Sequence, residues 1–210
     1  AVVEGKIIPI LCGSAASNIG VKELLDLIVN YLPSPGDRPK VEAIKGESSE
    51  KIELEPKPEG PFAALVFKTL SDPYIGQISI FKVFSGRLQS NTGFYNVSKG
   101  AKEKIGPLFT LLGKAQTPLE SIQAGDIACV AKLKETATGD SLCDEKNQIK
   151  FEDIKFPEPA ISFSLKPKTR SDEDKISNAL HKLTAEDPTF KVRTDPETMA
   201  LRPETFTVGF

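Results

Sequence analysis

Apolar residues near the start of the chain form two patterns. A short continuous run at residues 7–10 is typical of a strand, and the apolar residues after it recur with the period of a helix. Between them stands a small-residue turn with the sequence Cys-Gly-Ser-Ala. Apolar residues beyond the turn recur at spacings of three and four, which places them on one helix face: Val21, Leu24, Leu25, Ile28 and Leu32. Asn18 can cap this helix, and the Pro- and Gly-rich residues 33–36 end it. We therefore predict strand, turn and helix over residues 6–33, as part of a larger α/β domain.

Residues 37–60 have the composition of a connector. Lys, Glu, Pro and Ser dominate, and apolar residues occur only singly, at Val41, Ile44, Ile52 and Leu54. This pattern predicts a linker with room for one edge strand.

From residue 61 to about residue 155 the pattern is that of short strands. Runs rich in β-branched and aromatic residues alternate with polar turns that contain Gly, Asn or Pro. The turns fall at Asp72-Pro73, Gly86-Arg87, 90–93, 98–100, 124–126 and 138–140. Near-regular spacing of this kind predicts a sandwich or a small closed barrel, and roughly a hundred residues suit one such domain.

From Phe156 to the end of the chain the pattern returns to mixed helix and strand. Residues 160–165 alternate like a strand, and Ser171 can cap a helix that carries Ile176, Leu180 and Leu183 on one side. Pro188 ends that helix, and residues 190–193 have the pattern of a returning strand. This β-α-β unit opens a ferredoxin-like domain, whose second half would need another strand, helix and strand.

Bulk composition narrows the function little. The 210-residue chain has a formal net charge of −2, which does not indicate a nucleic-acid binder, although a local basic patch can act within an acidic chain. Its apolar stretches are too short to span a membrane, and no secretory pattern opens it. Cys12, Cys129 and Cys143 are odd in number and widely spaced, as free thiols in a reducing compartment are. The expected location is the cytoplasm.

Candidate chemistry is sparse. His181 is the only histidine and lies on the polar side of its predicted helix, so no catalytic triad can be built around it. No metal-ligand spacing and no Gly-rich phosphate loop occurs. We therefore predict no catalytic residue and no metal site in this chain.

Two groups of basic residues are candidates for contact with RNA phosphate, with an ordinary solvated polar face as the alternative. The groups are Lys99, Lys102 and Lys104 near one predicted hairpin, and Lys166, Lys168 and Arg170 after the strand at residues 160–165.

Taken together, these segments resemble elongation factor G, the translational GTPase that drives ribosomal translocation. The end of its GTPase domain, with the fifth guanine-nucleotide motif, is similar to PILCGSAASNIGVKELLDLIVNYLPSP. Its second domain, a β-barrel, is similar to DPYIGQISIFKVFSGRLQS and AGDIACVAKLKETATGDSLCDEKN. The opening of its third domain is similar to FPEPAISFSLKPKTRSDEDKISNALHKLTAEDPTFKVRTDPET.

The resemblance implies a mostly β, multi-domain fragment. Its centre would be a Greek-key translation-factor β-barrel, preceded by a strand-helix remnant of an α/β GTPase domain and followed by a partial α+β ferredoxin-like domain. The implied divisions are residues 1–36 for the end of the GTPase domain, 37–60 for the connector, 61–155 for the barrel and 156–210 for the partial third domain.

The resemblance also implies ligands and partners. In the family, the residues matching Ser14, Ala15 and Ala16 read the guanine carbonyl oxygen with backbone N–H groups. The phosphate loop and switch segments would lie upstream, so GTP or GDP with Mg²⁺ is expected in the intact protein, whereas this chain alone should hold none tightly and hydrolyse none. Expected partners are ribosomal RNA and proteins and the rest of the GTPase domain, without membrane or DNA.

The implied function is part of a ribosome-associated GTPase that promotes translocation of tRNA and mRNA. Residues 199–210 match none of the family pattern, and Pro107 stands where a basic residue is expected. With the acidic connector at residues 47–59, Pro107 favours a paralogue, which leaves ribosome recycling and ribosome protection open. A non-enzymatic RNA- or ribosome-binding barrel is the alternative of another class.

Overall fold

The computed structural model describes most of the chain, namely residues 2–46, 50–163, 165, 169–194 and 201–205. It divides into two compact units, Ala1–Lys40 and Val41–Phe210.

Helix α1, Val21–Tyr31, confirms the helix predicted in the first unit, and a short 3₁₀ turn at Pro35–Asp37 follows it. The predicted cap is wrong, because Asn18 lies within the preceding turn and Gly20, with φ 77°, takes the cap position. The strand predicted over residues 7–10 is also wrong, since these residues have no ladder partner in the described part of the first unit. A strand forms only where a neighbour satisfies its backbone groups.

The second unit consists mainly of strands. Those that precede residue 156 are β1 (Val41–Lys45), β2 (Glu50–Leu54), β3 (Ala63–Asp72), β4 (Gly76–Ser85), β5 (Arg87–Gln89), β6 (Gly93–Asn96), β7 (Ala101–Lys104), β8 (Leu108–Leu112), β9 (Ala115–Leu119), β10 (Ser121–Gln123), β11 (Ile127–Ala131), β12 (Ser141–Cys143) and β13 (Ile149–Lys150). Turns separate them at each of the predicted positions.

These strands form an antiparallel arrangement with long-range neighbours. One sheet has the order β7-β6-β12-β3-β4-β11-β8-β9, and β5 pairs with β10. Strand β12 lies between β3 and β6 although many residues separate it from both in the sequence. Such returns beside earlier strands are characteristic of Greek-key connections.

One buried apolar cluster lies inside this sheet. It comprises Phe62, Ala64, Val66, Phe81, Val83, Leu88, Phe94, Ile105, Leu108, Ile122, Ala128, Val130, Leu133 and Leu142. Phe94 of β6 and Leu108 of β8, from opposite ends of the strand order, share this core. The sheet therefore curves around a common interior, which confirms the predicted barrel.

Residues 37–60 contain more structure than their composition predicts. Strands β1 and β2 pair along their whole length, and β13 pairs with β1 on the other side. Ala43 and Leu54 are buried in a second cluster with Ala63 of β3 and Cys143 of β12. The prediction of a linker with a single edge strand is therefore wrong, because its isolated apolar residues pack against the outer face of the barrel.

The last part of the second unit has the split β-α-β arrangement of a ferredoxin-like domain. Its elements are β14 (Ile161–Ser162), α2 (Arg170–Glu186), β15 (Lys191–Thr194) and β16 (Leu201–Thr205). Strand β16 pairs antiparallel with both β14 and β15 and lies between them. This is the order expected when the two strands joined by a helix leave room for a third.

Two details of this region differ from the predictions. Helix α2 begins after Thr169, whose side chain and that of Asp172 form a capping box, so the predicted cap Ser171 is wrong. The chain also reaches a third strand, β16, within the tail that matched no family pattern. The helix end before Pro188 and the returning strand are confirmed.

Candidate functional site

The small-residue turn of the first unit is closed by reciprocal backbone hydrogen bonds. The N–H of Ser14 donates to the carbonyl of Ile19 at 2.9 Å, and the N–H of Ile19 donates back at 3.0 Å. Inside this frame the N–H of Asn18 donates to the carbonyl of Ala15, and the N–H of Ser17 donates to Ser14 Oγ at 3.3 Å. The geometry makes a compact loop from residue 14 to residue 19, directly before helix α1.

The three residues predicted to read the guanine base differ in whether the turn leaves their N–H groups available to a ligand. Ser14 already uses its N–H and its hydroxyl oxygen inside the turn. The N–H groups of Ala15 and Ala16 donate to no acceptor in the part of the chain that the structure describes. Two successive N–H groups without partners, on small exposed residues, can both approach one carbonyl oxygen.

Two glycines permit the close backbone approach that shapes this turn. A Cβ atom on Gly13 would lie 2.7 Å from the carbonyl oxygen of Ile19, and one on Gly20 would lie 2.9 Å from that of Cys12. Gly20 also has a φ of 77°, which L side chains rarely adopt. A shallow depression of about 350 Å³ borders the turn and is lined in part by Ala15 and Leu24.

Much apolar surface of the first unit is exposed. Ile8 and Ile10 are 83% and 89% exposed, and Val29 of helix α1 is 81% exposed. Large apolar side chains with this exposure are typical of a region that packs against other protein.

The basic residues of the barrel are exposed but not all unpaired. Lys102 and Lys104 alternate with Glu103 along β7, so both lysines point outward while the glutamate points inward. Lys102 forms an ion pair with Glu145 at 2.6 Å. Lys99 lies in the turn before β7, where its N–H donates to Asn96 Oδ1. Lys102 and Lys104 therefore lie on the outer side of β7, and Lys99 lies in the turn that precedes this strand.

The second predicted basic group cannot be described in the same way. Lys166 and Lys168 lie outside the described residues, and Arg170 is the first residue of α2, with its side chain outside the described part. His181 lies on the same helix and is exposed, in agreement with its assignment to the polar side.

A buried polar network behind the lysines was not anticipated from the sequence. Glu103, only 9% exposed, accepts hydrogen bonds from the N–H groups of Lys134 and Glu135 and from the hydroxyl of Thr136. Asn96 links Thr136 to the carboxylate of Asp140. The only available signal was a glutamate between two lysines on an alternating strand, which places it on the inner face.

The thiols occupy two different environments. Cys12 is exposed, whereas Cys129 and Cys143 are buried in strands of the barrel. Burial raises the pKa of the Cys129 thiol to about 11 and also raises the pKa of Cys143. Among the described residues, no His, Cys, Asp and Glu side chains cluster as metal ligands, and no helix combines the length and apolarity needed to cross a membrane.

Comparison with known proteins identifies the two domains of the second unit. Residues 61–145 match the family model described as Elongation factor G domain 2, and residues 156–201 match the one described as Elongation Factor G, domain III. A crystal structure of a protein from Thermus thermophilus is similar over 90% of this chain, with a TM-score of 0.70 and 29% sequence identity. The chain spans 26% of the length of that protein. With two consecutive domains matched over most of its length, this chain belongs to the elongation factor G family and is a translation elongation factor-like protein.

Proposed function

We propose that this chain is part of a ribosome-associated translational GTPase that promotes GTP-dependent translocation of tRNA and mRNA in the cytoplasm. The observation that carries the proposal is the pair of consecutive elongation factor G domains. These domains follow a small-residue turn and helix α1, which suit a contact with guanine. Within such a protein the barrel and the α+β domain transmit a nucleotide-dependent change of arrangement, because phosphate contacts hold one arrangement and their loss releases another.

The turn before α1 would supply part of the guanine pocket. Ala15 and Ala16 are assigned to donate their N–H groups to the guanine carbonyl oxygen, since both groups lack acceptors in the described part of the chain. Ser14 is assigned to the shape of the turn, because its own N–H and hydroxyl are engaged there. The nucleotide phosphates and Mg²⁺ would be held by segments outside this chain, so no residue here is assigned to hydrolysis.

Two sets of exposed residues, the lysines near β7 and the apolar residues of the first unit, indicate the kinds of partner. Lys99, Lys102 and Lys104 are exposed on β7 and the turn before it, and they suit contact with ribosomal RNA phosphates. The exposed apolar residues of the first unit suit the remainder of a GTPase domain. Lys166, Lys168 and Arg170 are kept as a second set of RNA contacts.

The decisive measurement is GTP turnover by the intact parent protein, with and without ribosomes, at one fixed moderate salt concentration. Strong stimulation by ribosomes supports the translational GTPase. A parallel assay of tRNA–mRNA movement then separates translocation from ribosome recycling or protection. Absence of turnover in both conditions overturns the GTPase and favours an RNA-binding barrel without enzymatic activity.

A variant of the turn tests the nucleotide assignment itself. In the intact parent protein, Ala15→Pro removes one N–H donor, and one lost hydrogen bond of about 1 kcal/mol corresponds to a roughly fivefold weaker affinity for GTP. Ser17→Ala is the matched control, because it leaves every backbone donor of the turn in place. Equal affinities of the two variants would remove Ala15 from the site.

A further inference from the structure

Within the described residues, one edge of β3 has no ladder partner over its second half. Strand β12 pairs only with Ala63, Ala64 and Leu65, whereas β3 continues to Asp72. On the opposite edge, β4 pairs with β3 as far as its end, with Ser71 opposite Gln77. Backbone groups on the free edge therefore need acceptors from elsewhere.

The N–H of Ser71 points to this free edge. The carbonyl of Gln77 accepts from the N–H of Lys132, so the polar backbone groups of Gln77 face away from β3. Directly opposed residues of an antiparallel pair either exchange both hydrogen bonds or exchange none. Ser71 is thus the partner in a non-hydrogen-bonded pair, and its N–H is directed away from β4.

The acceptor for this N–H comes from the other domain. Glu186, the last residue of helix α2, accepts the N–H of Ser71 through Oε1, across 115 residues of sequence. A carboxylate acceptor makes this hydrogen bond charge-assisted and stronger than a neutral one. Both residues are partly buried, so water competes less than at an open surface.

The position of Glu186 is unfavourable for the helix taken alone. The C-terminal end of a helix carries partial negative charge, which disfavours a carboxylate there. Asp187 follows directly, and the last turn of α2 has no basic residue. The carboxylate of Glu186 is therefore better explained by its contact with the barrel than by the stability of its helix.

The surroundings of the contact are open. A cleft of about 480 Å³ lies beside it, lined by Phe67, Leu70, Phe156 and Pro188 together with Glu186. The joining segment at residues 152–160 forms neither helix nor strand. The junction therefore combines the Ser71–Glu186 hydrogen bond with an open cleft and an irregular linker.

We propose that Glu186 is a releasable clamp, whose single carboxylate fixes the orientation of the α+β domain on the barrel by holding the free edge of β3 at Ser71. Loss of this hydrogen bond frees the domain to turn about the linker at residues 152–160. The proposal goes beyond the proposed function, because it concerns two domains of this chain and holds whether or not ribosomes are bound.

NMR on the 210-residue chain tests the clamp. In the Glu186→Ala variant we expect the Ser71 amide to exchange with solvent at least tenfold faster, as the loss of one charge-assisted hydrogen bond implies. Residual dipolar couplings should fit one alignment tensor for both domains in the unchanged chain and two tensors in the variant. Glu152→Ala, at an exposed glutamate of the linker, is the control and should keep one tensor.

A second pair of variants removes the donor and not the acceptor. Ser71→Pro deletes the N–H, which an edge position tolerates because the ladder with β4 does not use it. Ser71→Ala keeps the N–H and should behave as the unchanged chain. If Glu186→Ala does not fold, Glu186→Leu takes its place, because a leucine side chain cannot accept the Ser71 N–H either. A single tensor in Ser71→Pro, or unchanged exchange at Ser71 without the Glu186 carboxylate, overturns the proposal.

Discussion

The side-chain amide of Asn96 donates to the carboxylate of Asp140 at 2.9 Å and joins two buried residues 44 positions apart in the sequence. The same amide lies 3.1 Å from the hydroxyl oxygen of Thr136, and that hydroxyl donates to Glu103. Two carboxylates thus hold the loop between β11 and β12 from inside the barrel. Buried networks of this kind are costly to break, because each broken bond leaves a polar group away from water.

Glu103→Ala should lower the free energy of unfolding by about 3 kcal/mol, since it leaves buried backbone donors without an acceptor. Urea denaturation followed by circular dichroism measures this change. Glu120→Ala, at an exposed glutamate of the same barrel, is the control and should stay within about 0.5 kcal/mol. Equal effects of the two substitutions would show that the Glu103 network contributes nothing to stability.

Asn96 and Asp140 should be energetically coupled. Each single substitution to Ala leaves the other side chain buried without this partner, so the double variant should cost less than the sum of the two. We expect a coupling of about 1 kcal/mol or more from a double-mutant cycle in urea. Strict additivity would show that the hydrogen bond between them makes no net contribution to the free energy of unfolding.

The sequence pattern predicted the elements that depend on residues close to one another in the sequence. Helix α1 and the turns of the barrel follow from spacing and turn chemistry, as does the end of α2 before Pro188. The hairpin β1–β2 was missed because its burial depends on Ala63 and Cys143, which the composition of residues 37–60 cannot show.

In the candidate site, too, some features could be predicted from the sequence and others depend on distant residues. The turn at Ser14 was found from small residues between an apolar run and a helix. Which of its N–H groups stay available depends on the hydrogen bonds with Ile19, and sequence spacing does not specify these. The buried role of Glu103 depends on donors 31 to 33 residues away, and the alternation of residues along β7 does not specify these donors.

Gly86→Ala should be much more destabilising than Gly113→Ala. Both glycines have positive φ, at 76° and 61°, which costs an L residue about 1 kcal/mol in either place. A Cβ on Gly86 would in addition lie 2.6 Å from the backbone of Phe62, whereas one on Gly113 meets nothing within 4 Å. The difference between the two variants isolates the steric term, and we expect it to exceed about 2 kcal/mol in urea denaturation. Similar losses would mean that the backbone at Phe62, directly before β3, shifts freely to accommodate a methyl group.

The three thiols should differ sharply in reactivity. Cys12 is exposed and should react with a thiol reagent at pH 8 within the ordinary time for a free cysteine. Cys129 and Cys143 should react only on unfolding, because burial both blocks access and keeps them protonated. Titration with a chromogenic disulfide reagent, without and with urea, counts the thiols in each class. More than one fast thiol in the folded chain contradicts the burial of the barrel cysteines.

Burial of Cys129 also predicts a loss of stability at alkaline pH. Its pKa is raised from 9.0 to about 11 in the folded chain, so between these values the unfolded thiol releases its proton and the folded one retains it. The unfolded state then binds fewer protons, and stability falls as pH rises. The contribution is fully present below pH 9 and is lost as pH rises through about 11. The urea midpoint should fall between pH 8 and pH 10.5, and this fall should be smaller in Cys129→Ala than in the unchanged chain. Cys12→Ala is the control and should show the same fall as the unchanged chain. An equal fall in all three chains would mean that the Cys129 thiol is as accessible to water in the folded protein as in the unfolded one.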